Sequence, residues 1–370
     1  VQDLEHFYGH EHFDVADEES GERVPFQISR YSRGPEMCIL AELAPHQTRT
    51  FVLKEKPAPA VASAGLCARR GIEGIADLSH VLNETPGDYA YTDAVENKFF
   101  RIEMSRPRGI TRIFDKVRGR ELVREGDTAF RPVYEVTPRE LTDDYLWVRR
   151  NMGRNRKAVR TQRDFGELTD IKVLENGELY ARAELKYRLN GTQECSVILT
   201  AHKYMPRITV DLRLHKDSVW EPENLYLSLP TAAADEELYM DKAGAVFRPR
   251  VDQLPGTCID FYAVQNGAAA VGKGGSLILA AQDAPLLWMG TLEAHPIKLM
   301  GEGSPNRDEL YSWVMNNFWE TNFKASLGGF YQFRYTLQTT PSCDPAEVFR
   351  TAEAINEGVL TFYAFEGEKK

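Results

Sequence analysis

The sequence contains few cysteines, and none of them is close to another. They are scattered along 370 residues without a Cys-x-x-Cys spacing, at Cys38, Cys67, Cys195, Cys258 and Cys343. An odd, dispersed set does not suit a disulfide framework or a thiolate metal site. We therefore expect reduced, mostly buried thiols and a cytoplasmic protein.

Excess positive charge and long apolar runs are also lacking. The formal net charge is -10, which argues against a general nucleic-acid binder, because phosphate binding requires a concentrated basic surface. The one basic run, residues 149–157, is interpreted as a solvated loop, with a contact to a partner domain or to an anionic ligand as the alternative. No apolar run is long enough to cross a bilayer. The chain opens at Val1 without signal-peptide character, so we expect it to start within a longer protein.

Several catalytic motifs are missing. The Gly-rich run 272–276 lacks P-loop spacing and leads into a strand, so it predicts a hairpin turn. Acidic pairs at 143–144 and 235–237 are interpreted as solvated loops, and no Ser-His-Asp or Cys-His signature appears. His6, His10 and His12 are more typical of a polar terminal segment than of a metal site, which needs further ligands.

Strand patterns dominate what is present. Asn176-Gly177 and Asn190-Gly191 predict hairpin turns, and residues 207–214 alternate in polarity as a half-buried strand does. Such an antiparallel meander must cover one face with another sheet, so a β-sandwich follows. One helix is predicted after Asp344, which can cap it, with a capping box completed by Glu347 and an exit at Gly358.

Composition divides the chain into four segments. Residues 1–57 form a small β domain, and residues 58–90 form a linker rich in proline and alanine at its start. Residues 91–256 form a large β-sandwich. Residues 257–370 form a last β layer with the helix, and we expect this layer to pack on the same sandwich.

One segment, residues 311–323, concentrates aromatic and amide side chains. Aromatic faces pack against the C–H faces of sugar rings, and amides and carboxylates bond sugar hydroxyls. The composition therefore suits a sugar subsite. By pattern alone, the better fit is an aromatic-rich sandwich core in which the amides satisfy buried turns.

The chain resembles the C-terminal region of bacterial glycoside hydrolase family 38 α-mannosidase-like proteins. The resemblance is sharpest at residues 313–323, followed by Gly328-Gly329 and Phe333-Arg334-Tyr335. In the same order along nearly the whole chain, further similar stretches are 24–27, 95–102, 109–116, 119–123, 223–230, 282–286 and the helix after Asp344. Each motif is moderate by itself, and their order makes the match strong.

The resemblance implies an all-β fold: a large galactose-mutarotase-like antiparallel β-sandwich, or supersandwich, with smaller flanking β units and one C-terminal helix. It also implies an N-terminal catalytic domain holding a divalent metal, normally zinc, and the aspartate nucleophile of a retaining reaction. None of those motifs can be placed here, and His10-Glu11-His12 is not the family's His-x-Asp pattern. We thus expect no catalytic residue, metal ligand or cofactor in this chain.

The resemblance thus implies an accessory portion of an α-mannosidase-like enzyme. We expect this portion to support its own N-terminal catalytic domain, to meet mannosides through that parent, and to help form a homo-oligomer. The residues expected to border the carbohydrate site are Asn317, Trp319, Glu320 and Asn322. Two alternatives stay open: a stand-alone carbohydrate-binding β-protein, and a mutarotase-like enzyme. The second requires a His and a Glu in one cleft.

Overall fold

A computed structural model describes residues 13–31, 34–56, 92–138, 161–230, 236–292, 298–301, 309–317, 324 and 326–362. Within these ranges the chain forms antiparallel sheets and one helix, as the strand patterns predicted. Several predictions fall on residues outside them: the linker, the basic run 149–157, His6, His10 and His12, the pair 143–144, and Cys67.

The four described cysteines are free. No helix in the described part is long and apolar enough to cross a membrane.

Two small two-stranded sheets make up the described part of the N-terminal segment. Strands are numbered in chain order: β1 (Phe13–Asp17) pairs with β4 (Phe51–Glu55), and β2 (Phe26–Tyr31) pairs with β3 (Gly34–Ile39). A four-stranded meander follows, consisting of β5 (Thr92–Glu96), β6 (Phe100–Ser105), β7 (Gly109–Asp115) and β8 (Arg120–Glu121).

Two large sheets form the main body. The six-stranded sheet has the order β10-β9-β15-β22-β21-β18, with β9 (Pro132–Val136), β10 (Gln162–Phe165), β15 (Glu223–Leu229), β18 (Phe261–Ala263), β21 (Leu286–Met289) and β22 (Leu310–Asn316). The nine-stranded sheet has the order β11-β12-β13-β14-β23-β20-β19-β16-β17, with β11 (Glu167–Asn176), β12 (Tyr180–Arg188), β13 (Thr192–His202), β14 (Arg207–Lys216), β16 (Glu237–Lys242), β17 (Ala245–Phe247), β19 (Gly267–Gly272), β20 (Gly275–Ala281) and β23 (Gly329–Thr340).

The core lies between these two sheets. Because side chains alternate across a strand, a strand with one covered face directs every second residue inward. On β14 these residues are Ile208, Val210, Leu212 and Leu214, and they join Leu225 and Leu227 of β15 in one buried cluster. The predicted sandwich is therefore confirmed. Strands from both sides of residue 256 contribute to each large sheet.

The hairpin turns follow the prediction, with one difference. Gly191 joins β12 to β13 at a φ of 72°, and Lys273-Gly274 joins β19 to β20. At the other site the chain turns over residues 177–179, and Gly177 does not adopt positive φ. The side chain of Gln27 lies against Gly177, and its Oε1 accepts the N–H groups of Leu179 and Tyr180. This contact from a distant strand widens the turn.

The helix α1 (Pro345–Glu357) begins and ends where the sequence predicted. Asp344 accepts the Ala346 N–H, Gly358 ends the helix, and its buried face packs on β19 and β20. The capping box is the exception. Glu347 accepts a hydrogen bond from the Ser342 hydroxyl, which in turn accepts the Asp344 N–H at 3.3 Å. The Ser342 hydroxyl thus bridges the Glu347 carboxylate and the Asp344 N–H, which a capping box would join directly.

Candidate functional site

Asn317 lies at the end of the six-stranded sheet, where β15 begins and β22 stops. The register pairs Asn224 with Asn316, so Glu223 and Asn317 meet just beyond the last pair. Of the four residues expected to border a sugar, Asn317 alone belongs to the described part of the chain. Trp319, Glu320 and Asn322 lie outside the described residues.

The Asn317 side chain holds the connection between β14 and β15. Its Oδ1 accepts the Glu223 N–H at 2.7 Å, and its Nδ2 donates to the carbonyls of Val219 and Glu221 at 3.3 and 3.0 Å. Asn317 is buried. A buried amide that bonds three backbone groups stabilises the loop it touches. The sequence predicted that the amides here need partners, and for Asn317 the partners include backbone groups of the preceding connection.

Glu223 sits in a buried ionic cluster on the inward side of the same sheet end. Lys216 Nζ donates to Glu223 Oε2 at 2.6 Å, and Tyr134 Oη donates to the same oxygen at 2.7 Å. The Lys216 ammonium also lies 5.0 Å from the centroid of the Tyr134 ring. Burial raises the pKa of the Glu223 carboxyl, although the bonds from Lys216 and Tyr134 oppose that rise. Burial and the Glu223 carboxylate raise the pKa of Tyr134.

A second polar chain crosses four strands on the opposite face. Arg163 Nε donates to Glu135 Oε1 at 2.8 Å, and Asn224 Nδ2 donates to Glu135 Oε2 at 3.0 Å. Trp313 Nε1 then donates to Asn224 Oδ1 at 2.9 Å. These bonds join β10, β9, β15 and β22 in sheet order, so they fix both the register of the strands and the orientation of the indole.

Trp313 also belongs to an aromatic cluster. Its ring stacks on Tyr226 at 5.8 Å between centroids and meets Trp288 edge to face at 5.8 Å. Phe261 and Tyr311 pack against the same group. Trp313 is only 4% exposed. Trp313 therefore belongs to an aromatic-rich core with satisfied polar groups, which is the second of the two interpretations given for residues 311–323.

The chemical capacity of this region follows from its geometry. Glu135 and Glu223 are directed to opposite faces of one sheet, whereas a glycosidase places two carboxylates on either side of one sugar bond. Within the described ranges, no group of three or more His, Cys, Asp and Glu side chains could hold a metal ion. The absence of a metal from the whole chain stays a prediction.

Two of the three described histidines, His202 and His215, have partners other than the glutamate that a mutarotase would need. His202 Nε2 hydrogen-bonds Thr209 Oγ1 at 3.0 Å, and His215 stacks on Phe330. Neither ring bonds a glutamate in the described part of the chain. The sequence did not predict the polar residues that do cluster, because Glu135 and Asn224, for example, are 89 positions apart.

Comparison with solved structures finds several matches. An α-mannosidase from Enterococcus faecalis V583 superposes with a TM-score of 0.56 at 12% identity, over 93% of this chain and 40% of that chain. A glycosyl hydrolase family 38 protein from Enterococcus faecalis gives the same score and identity, with 93% and 41% covered. A putative aldose 1-epimerase from Escherichia coli K12 gives a TM-score of 0.38 at 11% identity, over 68% and 99%.

The chain therefore shares a fold with a part of the Enterococcus proteins and spans about 40% of their length. No protein-family model matches the sequence. No curated protein matches it either.

Proposed function

We propose that this chain is the C-terminal accessory β-sandwich portion of an α-mannosidase-like retaining glycoside hydrolase. In this role it supports the catalytic domain and borders the carbohydrate site through residues after β22. The observation that carries the proposal is the structural likeness over 93% of this chain and only 40% of an α-mannosidase chain. The rest of that α-mannosidase chain, which this chain does not match, is long enough for a separate catalytic unit.

The contacts around Asn317 support a bracing role. Asn317 connects the end of β22 to the β14–β15 connection, and the Lys216–Glu223 pair connects that same connection to the inside of the sandwich. Because Asn317 is held firmly, the segment that follows it starts from a fixed position. Trp319, Glu320 and Asn322 follow within five residues of Asn317, so this support is suited to directing them toward a neighbouring domain.

The described residues do not suit the zinc that the family resemblance implies, because no cluster of carboxylates and imidazoles forms. We therefore assign the metal, the nucleophile and the acid–base chemistry to the proposed catalytic domain. We also propose a cytoplasmic location, which the free state of the described cysteines supports.

Hydrolysis of an aryl α-mannoside tests the proposal. The 370-residue chain alone, supplied with zinc or cobalt, should show no turnover above a buffer blank. The protein extended by the sequence encoded before Val1 should show turnover that a chelator abolishes. Chelator-sensitive turnover by the 370-residue chain would contradict the assignment, as would the lack of a catalytic domain in the encoding gene.

Substitutions in the extended protein test the border residues. Trp319→Ala and Glu320→Gln should lower kcat/KM while the Tm stays within a few degrees of wild type. Trp313→Phe is the matched control, because Trp313 is buried and should affect stability rather than kinetics. Unchanged kinetics in both test variants, or unfolding of both, would exclude a role at the sugar site.

A further inference from the structure

The outward face of the nine-stranded sheet carries a second set of aromatic, amide and charged side chains. On β23 the outward residues are Phe330, Gln332 and Arg334, and each is exposed. On the adjacent strand β14 their partners are His215, Arg213 and Asp211. We call these six residues, together with Gln282 and Asp283, the outer strip. It lies on a different sheet from Asn317 and Glu223.

One end of the outer strip presents an aromatic platform. Phe330 is 78% exposed, although its ring stacks on His215 at 4.1 Å between centroids and 18° between planes. One ring face is therefore covered by His215 and the other is open to solvent. An aromatic ring held by such a stack can pack its open face against the C–H face of a sugar ring. Exposure of so large an apolar ring costs solvation, which binding would recover.

The other end of the outer strip is a shallow polar cleft. Its volume is about 300 Å³, and it is lined by Gln282, Asp283, Gln332 and Arg334. Asp283 Oδ2 accepts the Arg334 N–H at 2.7 Å, which fixes this carboxylate against β23. Gln282 is the residue next to Asp283, and its side-chain amide has no partner in the described part of the chain.

An ion pair orients the cleft side chains. Arg334 Nε donates to Asp211 Oδ1 at 2.8 Å and Nη2 donates to Asp211 Oδ2 at 3.4 Å. Gln332 Nε2 donates to the same Oδ1 at 3.2 Å. The Gln332 amide nitrogen thus serves as a donor, and the Gln332 carbonyl oxygen and Asp283 Oδ1 are left as acceptors without a partner among the described residues. Sugar hydroxyls both donate and accept, so carboxylate, amide and guanidinium groups together match them.

Spacing and charge define the class of ligand. Residues two apart on one face of a strand are separated by about 7 Å, so Phe330 and Arg334 are about 14 Å apart along β23. This length exceeds one sugar ring. Two carboxylates, Asp211 and Asp283, balance two guanidinium groups, Arg213 and Arg334. The balance disfavours phosphates and nucleic acids, which need an excess of positive charge.

We propose that the outer strip is a binding site for a neutral oligosaccharide. One sugar ring packs on the open face of Phe330, and the next ring donates to and accepts from Gln332, Gln282, Asp283 and Arg334. The outer strip shares no residue with the four border residues proposed above. The proposal needs only the outer strip, so it does not depend on the chain's belonging to a mannosidase.

Ligand-observed NMR titration of the 370-residue chain tests the proposal, with mannotriose, maltotriose and cellotriose as probes. At least one probe should bind with saturation. Phe330→Ala and Gln282→Ala should each weaken that binding at least about five-fold, because each removes one contact of a weak site. The Tm should hold in both variants, since neither side chain is buried or bonded to the rest of the protein by more than the His215 stack.

Matched controls come from the two large sheets, outside the outer strip. Phe165→Ala removes another exposed aromatic ring, and Gln193→Ala removes another exposed amide, and both should leave binding unchanged. No saturable binding of any probe would overturn the proposal. Binding that is equally weakened by the control variants, or unaffected by Phe330→Ala and Gln282→Ala, would overturn it as well. A protein partner captured through Phe330 without oligosaccharide binding would identify the strip as a docking surface instead. Mannosidase activity of the extended protein is measured separately, so failure of either proposal is recognised without the other.

Discussion

Lys216 and Glu223 form an ion pair at 2.6 Å in which each side chain is only 1% exposed. The two residues lie seven positions apart, on the last residue of β14 and the first of β15, so the pair ties the end of one large sheet to the start of the other. Buried charges of this kind are costly to separate, because the partner left behind has no water to solvate it. The pair is therefore a sensitive point for stability.

Lys216→Met should lower the free energy of unfolding by about 3–5 kcal/mol, because it leaves the Glu223 carboxylate buried without its cation. The double variant Lys216→Met/Glu223→Gln should recover a large part of that loss. Urea denaturation of the four proteins in a double-mutant cycle measures the coupling. Additive losses would show that the pair is not coupled.

The Lys216→Met deficit should also depend on pH. Burial already raises the pKa of Glu223, and loss of Lys216 removes the strongest influence that lowers this pKa. A carboxyl with a raised folded-state pKa favours the folded state more as pH falls through that pKa. The variant should therefore lie closer to wild type at pH 5 than at pH 8. A deficit that is constant over this range would contradict the assignment of the loss to the Glu223 charge.

His202 should make folding stability rise with pH. Burial, followed by Arg207 and Arg182, lowers the pKa of His202 to about 4, against an ordinary value of 6.5. Between these values the unfolded chain binds the proton and the folded chain does not, so acidification from pH 7 to pH 4 should remove on the order of 3 kcal/mol. Denaturation of wild type and His202→Gln at pH 7, 6 and 5 measures the effect.

The slope between pH 7 and pH 5 should flatten in His202→Gln, because glutamine still offers Thr209 a hydrogen-bonding group but does not titrate. Equal slopes in wild type and His202→Gln would exclude His202 as the cause.

Asn317→Ala should destabilise the protein by about 2 kcal/mol, because it leaves the Glu223 N–H and two carbonyl groups without their side-chain partner. Asn317→Asp should also be destabilising, since a carboxylate can accept the N–H but cannot donate to the carbonyls. Thermal unfolding measures both. A Tm equal to that of wild type in both variants would show that the amide does not hold the β14–β15 connection.

Gly109→Ala should be strongly destabilising, by about 3 kcal/mol or more, for two reasons. The residue has a φ of 96°, and an added Cβ would lie 2.2 Å from the buried Tyr187 Oη. Gly274→Ala is the matched control, because nothing lies within 4 Å of its Cβ position and the change should be nearly neutral. Similar midpoints for the two variants in urea would refute the packing argument.

Local features were determined by the sequence itself. The Asn190-Gly191 turn and the cap at Asp344 depend on backbone conformations and hydrogen bonds within a few residues, so the local residue types suffice to predict them. The alternation over residues 207–214 likewise predicted one inward and one outward face for β14. These features agreed with the structure because nothing distant competes with them.

Only the tertiary structure decided which residues meet. One partner of β14 is β23, more than a hundred residues later, and Gln27 from another sheet bonds the turn after Asn176. Composition drew attention to Trp313 and Asn317, but it could not show that Trp313 bonds Asn224 inside an aromatic cluster or that Asn317 holds backbone groups of the β14–β15 connection.

The physical reason is that burial and pairing are properties of sheets rather than of segments. Glu135 lies among apolar strand residues and Glu223 lies in a more polar stretch, and neither context reveals its partner. Adjacent positions on neighbouring strands direct the two side chains to opposite faces. Whether a carboxylate becomes half of an ion pair, an acceptor in a polar chain or a solvated surface group depends on which strand lies beside it. That choice is made when the two large sheets form and close over the core.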